Sequence, residues 1–136
     1  MTGMEFNLEM CFKMAEAAKS AQDEIGVHVT IAIADTCGVL RFLHRFGNAI
    51  LPSVEIAEKK AYTAATLGMS TSEFGKIAQP GGEAFGINSA CSKLAIFGGG
   101  FPLTLNGKTV GGIGVSGASV AQDEAIAKKM LEAFGA

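Results

Sequence analysis

The sequence predicts an α+β domain in which a five-stranded, mainly antiparallel sheet is covered by helices on both faces. Hydrophobic residues recur at three- to four-residue steps in some segments and at two-residue steps in others, as in alternating helices and strands. All but one of the links between successive predicted strands are short enough for hairpins, which join antiparallel strands. Two strands, two helices, three strands and a final helix therefore predict a layered α/β/α arrangement.

The length and composition are typical of a single domain, which we predict to comprise residues 1–136. A chain of 136 residues buries about two-thirds of its unfolded surface, so it needs no disulfide or structural metal. Because 49% of the residues are hydrophobic and only 18% are charged, part of the apolar surface is expected to lie between copies of the chain. We expect a homo-oligomer.

Charge and cysteine content argue against several classes of partner. The formal net charge is −2 and the basic residues are scattered, so we expect no binding to nucleic acid or to an anionic membrane. Three cysteines without CxxC spacing favour a reducing compartment over a zinc site. Glu5 and Glu9 stand where an export signal carries basic residues, and no run approaches the ~20 apolar residues of a membrane span. We expect a cytoplasmic protein.

Helix ends are marked by capping and turn residues. Hydrophobic residues from Phe6 to Ile25 have helical spacing, and Gly26 is expected to end this first helix. Three further helices are predicted: residues 52–67 before Gly68, residues 71–77 after the Ser70 cap, and residues 120–134 after a capping box of Ser119 and Gln122.

A hairpin is predicted directly after the first helix. Hydrophobic residues alternate there, and Asp35 and Gly38 are typical first and last residues of a type I turn. This turn predicts a register in which Thr30 pairs with His44. His28 and His44 then share one face near the open end of the hairpin.

These two histidines are candidate ligands for a haem or a metal ion, since imidazole commonly binds both. Phe42 and Phe46 flank them on the predicted face. The alternative is that each is an ordinary surface or core histidine. No third ligand is evident, so the histidines alone do not predict a metal site.

The second half of the chain is predicted to supply three strands. A buried strand over residues 94–97 follows a polar loop or lid at residues 83–92, and a second strand covers residues 101–105. Asn106 and Gly107 predict a type I′ turn into the last strand.

The last strand lies in a glycine-rich stretch, residues 108–119, where another backbone or a ligand is expected to pack closely. Its Gly112-x-Gly114-x-x-Gly117 pattern matches a dinucleotide-binding motif, but that motif requires a βαβ unit and a later acidic residue. We expect no bound nucleotide.

Lys60 is the polar residue whose position most needs an explanation. It lies on an alanine-rich face of a predicted helix, with Thr63 one turn further, and a charge there requires a partner. Either its stem covers the alanines while its amine reaches solvent, or the amine binds a ligand carboxylate such as a haem propionate. Asp123 and Glu124, by contrast, are explained by the dipole of the helix that they begin.

The sequence contains no recognisable catalytic constellation. Ser116 lacks the second glycine of a serine-hydrolase elbow. Cys37 and Cys91 are not placed at an evident helix N-terminus, which would lower the pKa of a thiol. The sequence leaves the question of enzymatic activity open and favours a non-catalytic protein.

Several motifs together resemble a known family. The block GGIGVSGA at residues 111–118, QDE at 122–124, KAYTA at 60–64 and GGFP at 99–102 are similar to the GlcG/HbpS-like domain, which is also the C-terminal part of PduO-type proteins. The resemblance implies a profilin-like fold with a five-stranded sheet, and homo-oligomers. It further implies that some members bind haem or related tetrapyrroles and that others accompany glycolate, glycerol or diol metabolism.

We therefore expect an oligomeric, non-catalytic binding protein for a small anionic ligand, with haem or a related tetrapyrrole as the first choice. Cationic side chains would hold ligand carboxylates, and glycines would let the ligand lie flat. Two alternatives stay open: an accessory protein or small enzyme of glycerol, diol or glycolate metabolism, and a purely structural oligomer. The predicted ligand-binding residues are Arg45, Lys60, Thr63, Gly99, Gly100, Pro102, Gly114 and Ser116.

Overall fold

The computed structural model describes residues 6–135; Glu5, part of the export-signal argument, lies outside them. The elements are α1 (Leu8–Ile25), β1 (Thr30–Asp35), β2 (Leu40–Arg45), α2 (Pro52–Leu67), α3 (Thr71–Ile77), α4 (Ile87–Ala90), β3 (Gly100–Leu105), β4 (Lys108–Ser116) and α5 (Val120–Gly135). The segment predicted as a loop or lid thus contains the short helix α4.

The strands form one sheet in the order β2-β1-β4-β3, with every neighbouring pair antiparallel. This confirms the α+β class and the antiparallel sheet. The expectation of five strands is wrong for the described residues, because residues 94–97 are irregular. There the buried Ala95 donates its N–H to the Thr63 hydroxyl oxygen at 2.8 Å, so this short apolar run is attached to α2 without strand pairing, and Phe97 at its end is 44% exposed.

The sheet carries helices on both faces, as predicted. Helices α1 and α5 cover one face, and their contact with the sheet is filled by large side chains such as Met14, Ile31 and Met130. Helix α2 covers the other face, where alanines of β1 meet alanines of the helix. The glycine-rich strand β4 lies in the middle of the sheet and touches α2 along much of its length.

Local signals for helix and turn ends are confirmed. Gly26 ends α1 in the left-handed conformation, at φ 86°. Ser119 and Gln122 form a reciprocal capping box, each side chain accepting from the other residue's N–H at 3.2 Å. Asn106 and Gly107 both have positive φ, as a type I′ turn requires.

The first hairpin departs from its predicted register. Its turn forms at Asp35 as expected, but a β-bulge part-way along the ladder then places Thr30 opposite Arg45. The predicted partner, His44, is shifted by one residue. Because side chains alternate between faces, His28 and His44 no longer share one.

Candidate functional site

Lys60 lies directly against three of the glycines predicted to bind a ligand. A Cβ atom added at Gly99 would lie 2.6 Å from the Lys60 amine, and one added at Gly114 would lie 2.8 Å from the Lys60 Cβ. A Cβ atom added at Gly100 would lie 2.7 Å from the Lys60 carbonyl oxygen. The predicted close approach to these glycines therefore occurs, and helix α2 is the element that approaches.

The Lys60 amine is enclosed by the protein. Lys60 is 0% exposed; its Nζ donates to the Val115 carbonyl oxygen at 2.8 Å and to the Asp123 carboxylate at 3.3 Å. It also lies 5.0 Å from the centroid of the Phe97 ring. An ammonium has three protons, and these three groups provide a partner for each. The interpretation that Lys60 extends its amine to solvent is wrong.

Asp123 is the partner that sequence reasoning missed. The helix dipole alone does not explain its position, because it is buried, and its second carboxylate oxygen accepts from the Ala118 N–H at 3.0 Å. One side chain thus caps α5 and ties it to α2. One signal in the sequence could have indicated such a partner. Lys60 lies on a helix face expected to be buried, and a buried lysine requires an acidic partner, but the sequence does not say which acidic residue this is.

Burial sets the electrostatics of this pair. Desolvation lowers the pKa of Lys60 and raises the pKa of Asp123, and the attraction between the two groups opposes both shifts. The carboxylate of Glu124 adds a second negative charge near Lys60. A ligand carboxylate brought to this amine would therefore meet two acidic side chains.

The groups in contact with Lys60, which belong to Gly99, Gly100, Gly114, Val115 and Asp123, are called here the Lys60 cluster. Arg45, Pro102 and Ser116 are not among these contacts. Arg45 is on the edge strand β2, where its Nε donates to the Ala49 carbonyl oxygen at 2.8 Å. Strand β1 separates it from β4, and Pro102 is on the opposite edge strand. Ser116 pairs with Thr30 at the end of β4. Of the eight predicted residues, Lys60, Gly99, Gly100 and Gly114 are thus in mutual contact, whereas the Thr63 hydroxyl accepts from the Ala95 N–H.

The two histidines have different surroundings. The Nδ1 atom of His28 lies 2.6 Å from the Asn48 side-chain oxygen. The exposed His44 ring packs edge-on against Phe46, with the ring centroids 4.6 Å apart. Of the two, His44 is the one whose ring lies on a mainly apolar face.

An exposed surface, called here the β2 surface, includes His44 and other residues of β2 and α1. Helix α1 contributes Leu8 and Phe12, which are 61% and 53% exposed, and the Phe12 ring meets the Phe42 ring at 5.8 Å in an edge-to-face contact. Because β2 is an edge strand, its outer side is not covered by another strand. The β2 surface consists of Leu8, Phe12, Arg41, Phe42 and His44.

The cation of this surface is Arg41. Its Nη1 lies 3.1 Å from the Asp35 carboxylate, and its guanidinium carbon is 5.3 Å from the centroid of the Phe6 ring.

Across residues 6–135, no three His, Cys, Asp or Glu side chains are grouped to hold a metal ion. Nor is any helix in that range long and apolar enough to cross a membrane.

Comparisons with known proteins identify relatives along nearly the whole chain. It is 38% identical over 123 residues to an uncharacterised 15.0 kDa protein of the dhaT–dhaS intergenic region in Citrobacter freundii, covering 90% of this chain and 87% of that protein. It is 36% identical over 132 residues to the corrinoid adenosyltransferase PduO of the same species, covering 96% of this chain. The chain spans only 39% of the length of that enzyme.

Structure and family comparisons agree. The crystal structure of a PduOC:heme complex superposes with a TM-score of 0.91 at 34% identity, covering 96% of this chain and 95% of that one. Residues 6–132 match the model of the family described as haem degrading protein HbpS-like. The chain therefore belongs to the HbpS-like family.

Proposed function

We propose that the protein binds haem or a related tetrapyrrole on the β2 surface, with His44 as the axial ligand. The observation that carries this proposal is an exposed imidazole on the same edge strand as Phe42, whose ring packs on Phe12, and Arg41. The PduOC relative, crystallised as a haem complex, supports the same ligand class.

The chemistry of these residues fits a tetrapyrrole. Haem iron takes an imidazole as an axial ligand, and the flat macrocycle requires apolar and aromatic contacts such as Phe12 and Phe42 would supply. The His44 ring packs edge-on against the Phe46 ring. The Arg41 guanidinium is placed to exchange its Asp35 partner for a propionate.

The Lys60 cluster is the second candidate location. Binding by Lys60, Thr63, Gly99, Gly100 and Gly114 stays a prediction, as does the contribution of Arg45, Pro102 and Ser116. It requires the Phe97 ring to leave the amine. The β2 surface requires no such movement, and we therefore favour it.

Hemin titration followed by the Soret band tests the proposal, with the second histidine as its matched control. The chain has only two histidines, so His44→Ala and His28→Ala remove one imidazole each. We expect saturable binding by the unmodified chain, at least tenfold weaker binding by His44→Ala, and no change for His28→Ala. Equal effects of the two variants, or an unsaturable response, would contradict it.

A third variant distinguishes the two locations. Lys60→Met is expected to bind hemin normally in every molecule that stays folded. If the folded fraction, measured by circular dichroism, binds hemin more weakly than His44→Ala does, then the ligand lies at the Lys60 cluster.

We further propose that the chain forms a homo-oligomer. Ile50 and Leu51, at the start of α2, are 58% and 75% exposed, and both β2 and β3 are edge strands. Such surfaces are typical of contacts between copies. Light scattering at micromolar concentration measures the mass, and a monomer would contradict this proposal.

An accessory role in glycerol, diol or glycolate metabolism is the second candidate function. It is supported by the relative from the dhaT–dhaS intergenic region and by the alignment with part of PduO. Genes for a dehydratase or an oxidase beside the gene of this protein would favour the accessory role, and genes for a redox sensor would favour haem sensing. Cytoplasmic location and the lack of catalysis stay predictions.

A further inference from the structure

We propose a second ligand site, for a small neutral polyhydroxy compound, in a recess between α2, the turn of the first hairpin and the chain near Lys93. The recess has a volume of about 190 Å³. It lies on the α2 side of the sheet, away from the β2 surface. Its lining residues are Gly38, Glu55, Glu58, Lys59, Tyr62 and Lys93.

Helix α2 supplies one polar wall of the recess. Glu58, Lys59 and Tyr62 follow Glu55 by three, four and seven residues along the helix, so the four side chains form one stripe. Lys59 and Glu55 form an ion pair at 2.9 Å. Each of these charged groups keeps further hydrogen-bonding capacity.

Tyr62 is held in place from two other elements. The Lys93 amine lies 5.2 Å from the centroid of its ring. A Cβ atom added at Gly38 would lie 2.7 Å from the ring carbon Cδ2, so the ring rests directly on the backbone of the hairpin turn. The recess thus has an aromatic wall with an ammonium group above it.

The charges of the lining select a neutral ligand. Two carboxylates balance two ammonium groups, and one of each is already joined in the Lys59–Glu55 ion pair. A ligand anion would therefore meet a carboxylate, and a ligand cation would meet a lysine. A hydroxyl group donates to the carboxylates and accepts from the ammonium groups, while the C–H groups of a polyol pack against Tyr62.

The volume restricts the size of the ligand. The recess has a volume of about 190 Å³. Sites for larger organic ligands begin at about 300 Å³. The recess therefore suits a polyol of a few carbons and is too small for a tetrapyrrole, so this inference is independent of the haem proposal.

Tyr62 itself reports on the recess, because the chain has one tyrosine and no tryptophan. Tyrosine emission is titrated with erythritol, with glycerol and with butane-1,4-diol, which keeps the carbon chain of erythritol but lacks its inner hydroxyls. We expect saturable changes with erythritol and glycerol, and at least fivefold weaker binding of the butanediol. Free N-acetyltyrosinamide in the same solutions corrects for solvent effects.

Variants locate the response. Glu58→Ala and Lys93→Met are each expected to weaken erythritol binding at least fivefold and to leave hemin binding unchanged. Lys129→Met removes an exposed cation of α5 and is expected to change neither. The proposal would be overturned if the response to erythritol were linear, or if butanediol bound with equal affinity. It would also be overturned if neither lining variant weakened erythritol binding, or if glycine or inorganic phosphate saturated the response instead of polyols.

Discussion

The two faces of the sheet are packed by different means. On the face covered by α1 and α5, large side chains such as Ile31 and Ile113 fill the space and are completely buried. On the face covered by α2, the strands present alanine and glycine, and a Cβ added at Gly114 would lie 2.1 Å from the Ala57 carbonyl oxygen. One face is joined through side chains and the other through backbone.

This difference shows where the molecule can adjust. Side chains that pack together can change rotamer when a neighbour changes, whereas two backbones in contact can separate only if a whole element moves. The α2 face also holds the buried Lys60–Asp123 pair, whose side chains are 0% and 3% exposed. We therefore expect the α2 face to tolerate less change than the α1 and α5 face.

Lys60→Met is expected to give the largest effect on stability. It leaves the Asp123 carboxylate buried without its cation, and breaking a buried pair in this way costs about 3–5 kcal/mol. Urea unfolding followed by circular dichroism measures the loss. The double variant Lys60→Met with Asp123→Asn replaces the unpaired carboxylate with a neutral amide that can still cap α5. It is expected to recover part of the lost free energy of unfolding. Strictly additive costs would contradict a coupled pair.

Gly114→Ala is expected to cost about 2–3 kcal/mol by overpacking, although it adds a single methyl group. The physical reason is that the new atom meets the backbone of α2, which cannot change rotamer. The same unfolding measurement gives the cost. Gly135→Ala serves as the control, because nothing lies within 4 Å of a Cβ added there. A neutral Gly114→Ala would mean that α2 moves easily.

Ile113→Val is expected to have the smallest effect, about 1 kcal/mol. It removes one methyl group from the other face, next to Gly114 in the sequence. Since the neighbouring side chains can partly fill the space, the cost is that of lost burial. Ile50→Val, at an exposed position, is its control and is expected to be neutral. A cost above that of Gly114→Ala would reverse the comparison between the faces.

Local chemistry determined much of this structure. The helix ends at Gly26 and Ser119 were predictable because a left-handed glycine or a capping side chain acts on residues a few positions away. The antiparallel sheet followed from short links, and the close packing at residues 108–119 followed from the lack of side chains there. These features depend on neighbours in the sequence.

Tertiary structure alone decided the remaining features, because they depend on residues far apart in the chain. The apolar run at residues 94–97 is equally compatible with a strand and a buried loop, and its contact with α2 selects the loop. The bulge that separates the faces of His28 and His44 shifts the register between Ile33 and Ala34, a step that the turn residues alone do not encode. Lys60 requires an acid, but only the folded chain brings it Asp123, 63 residues away.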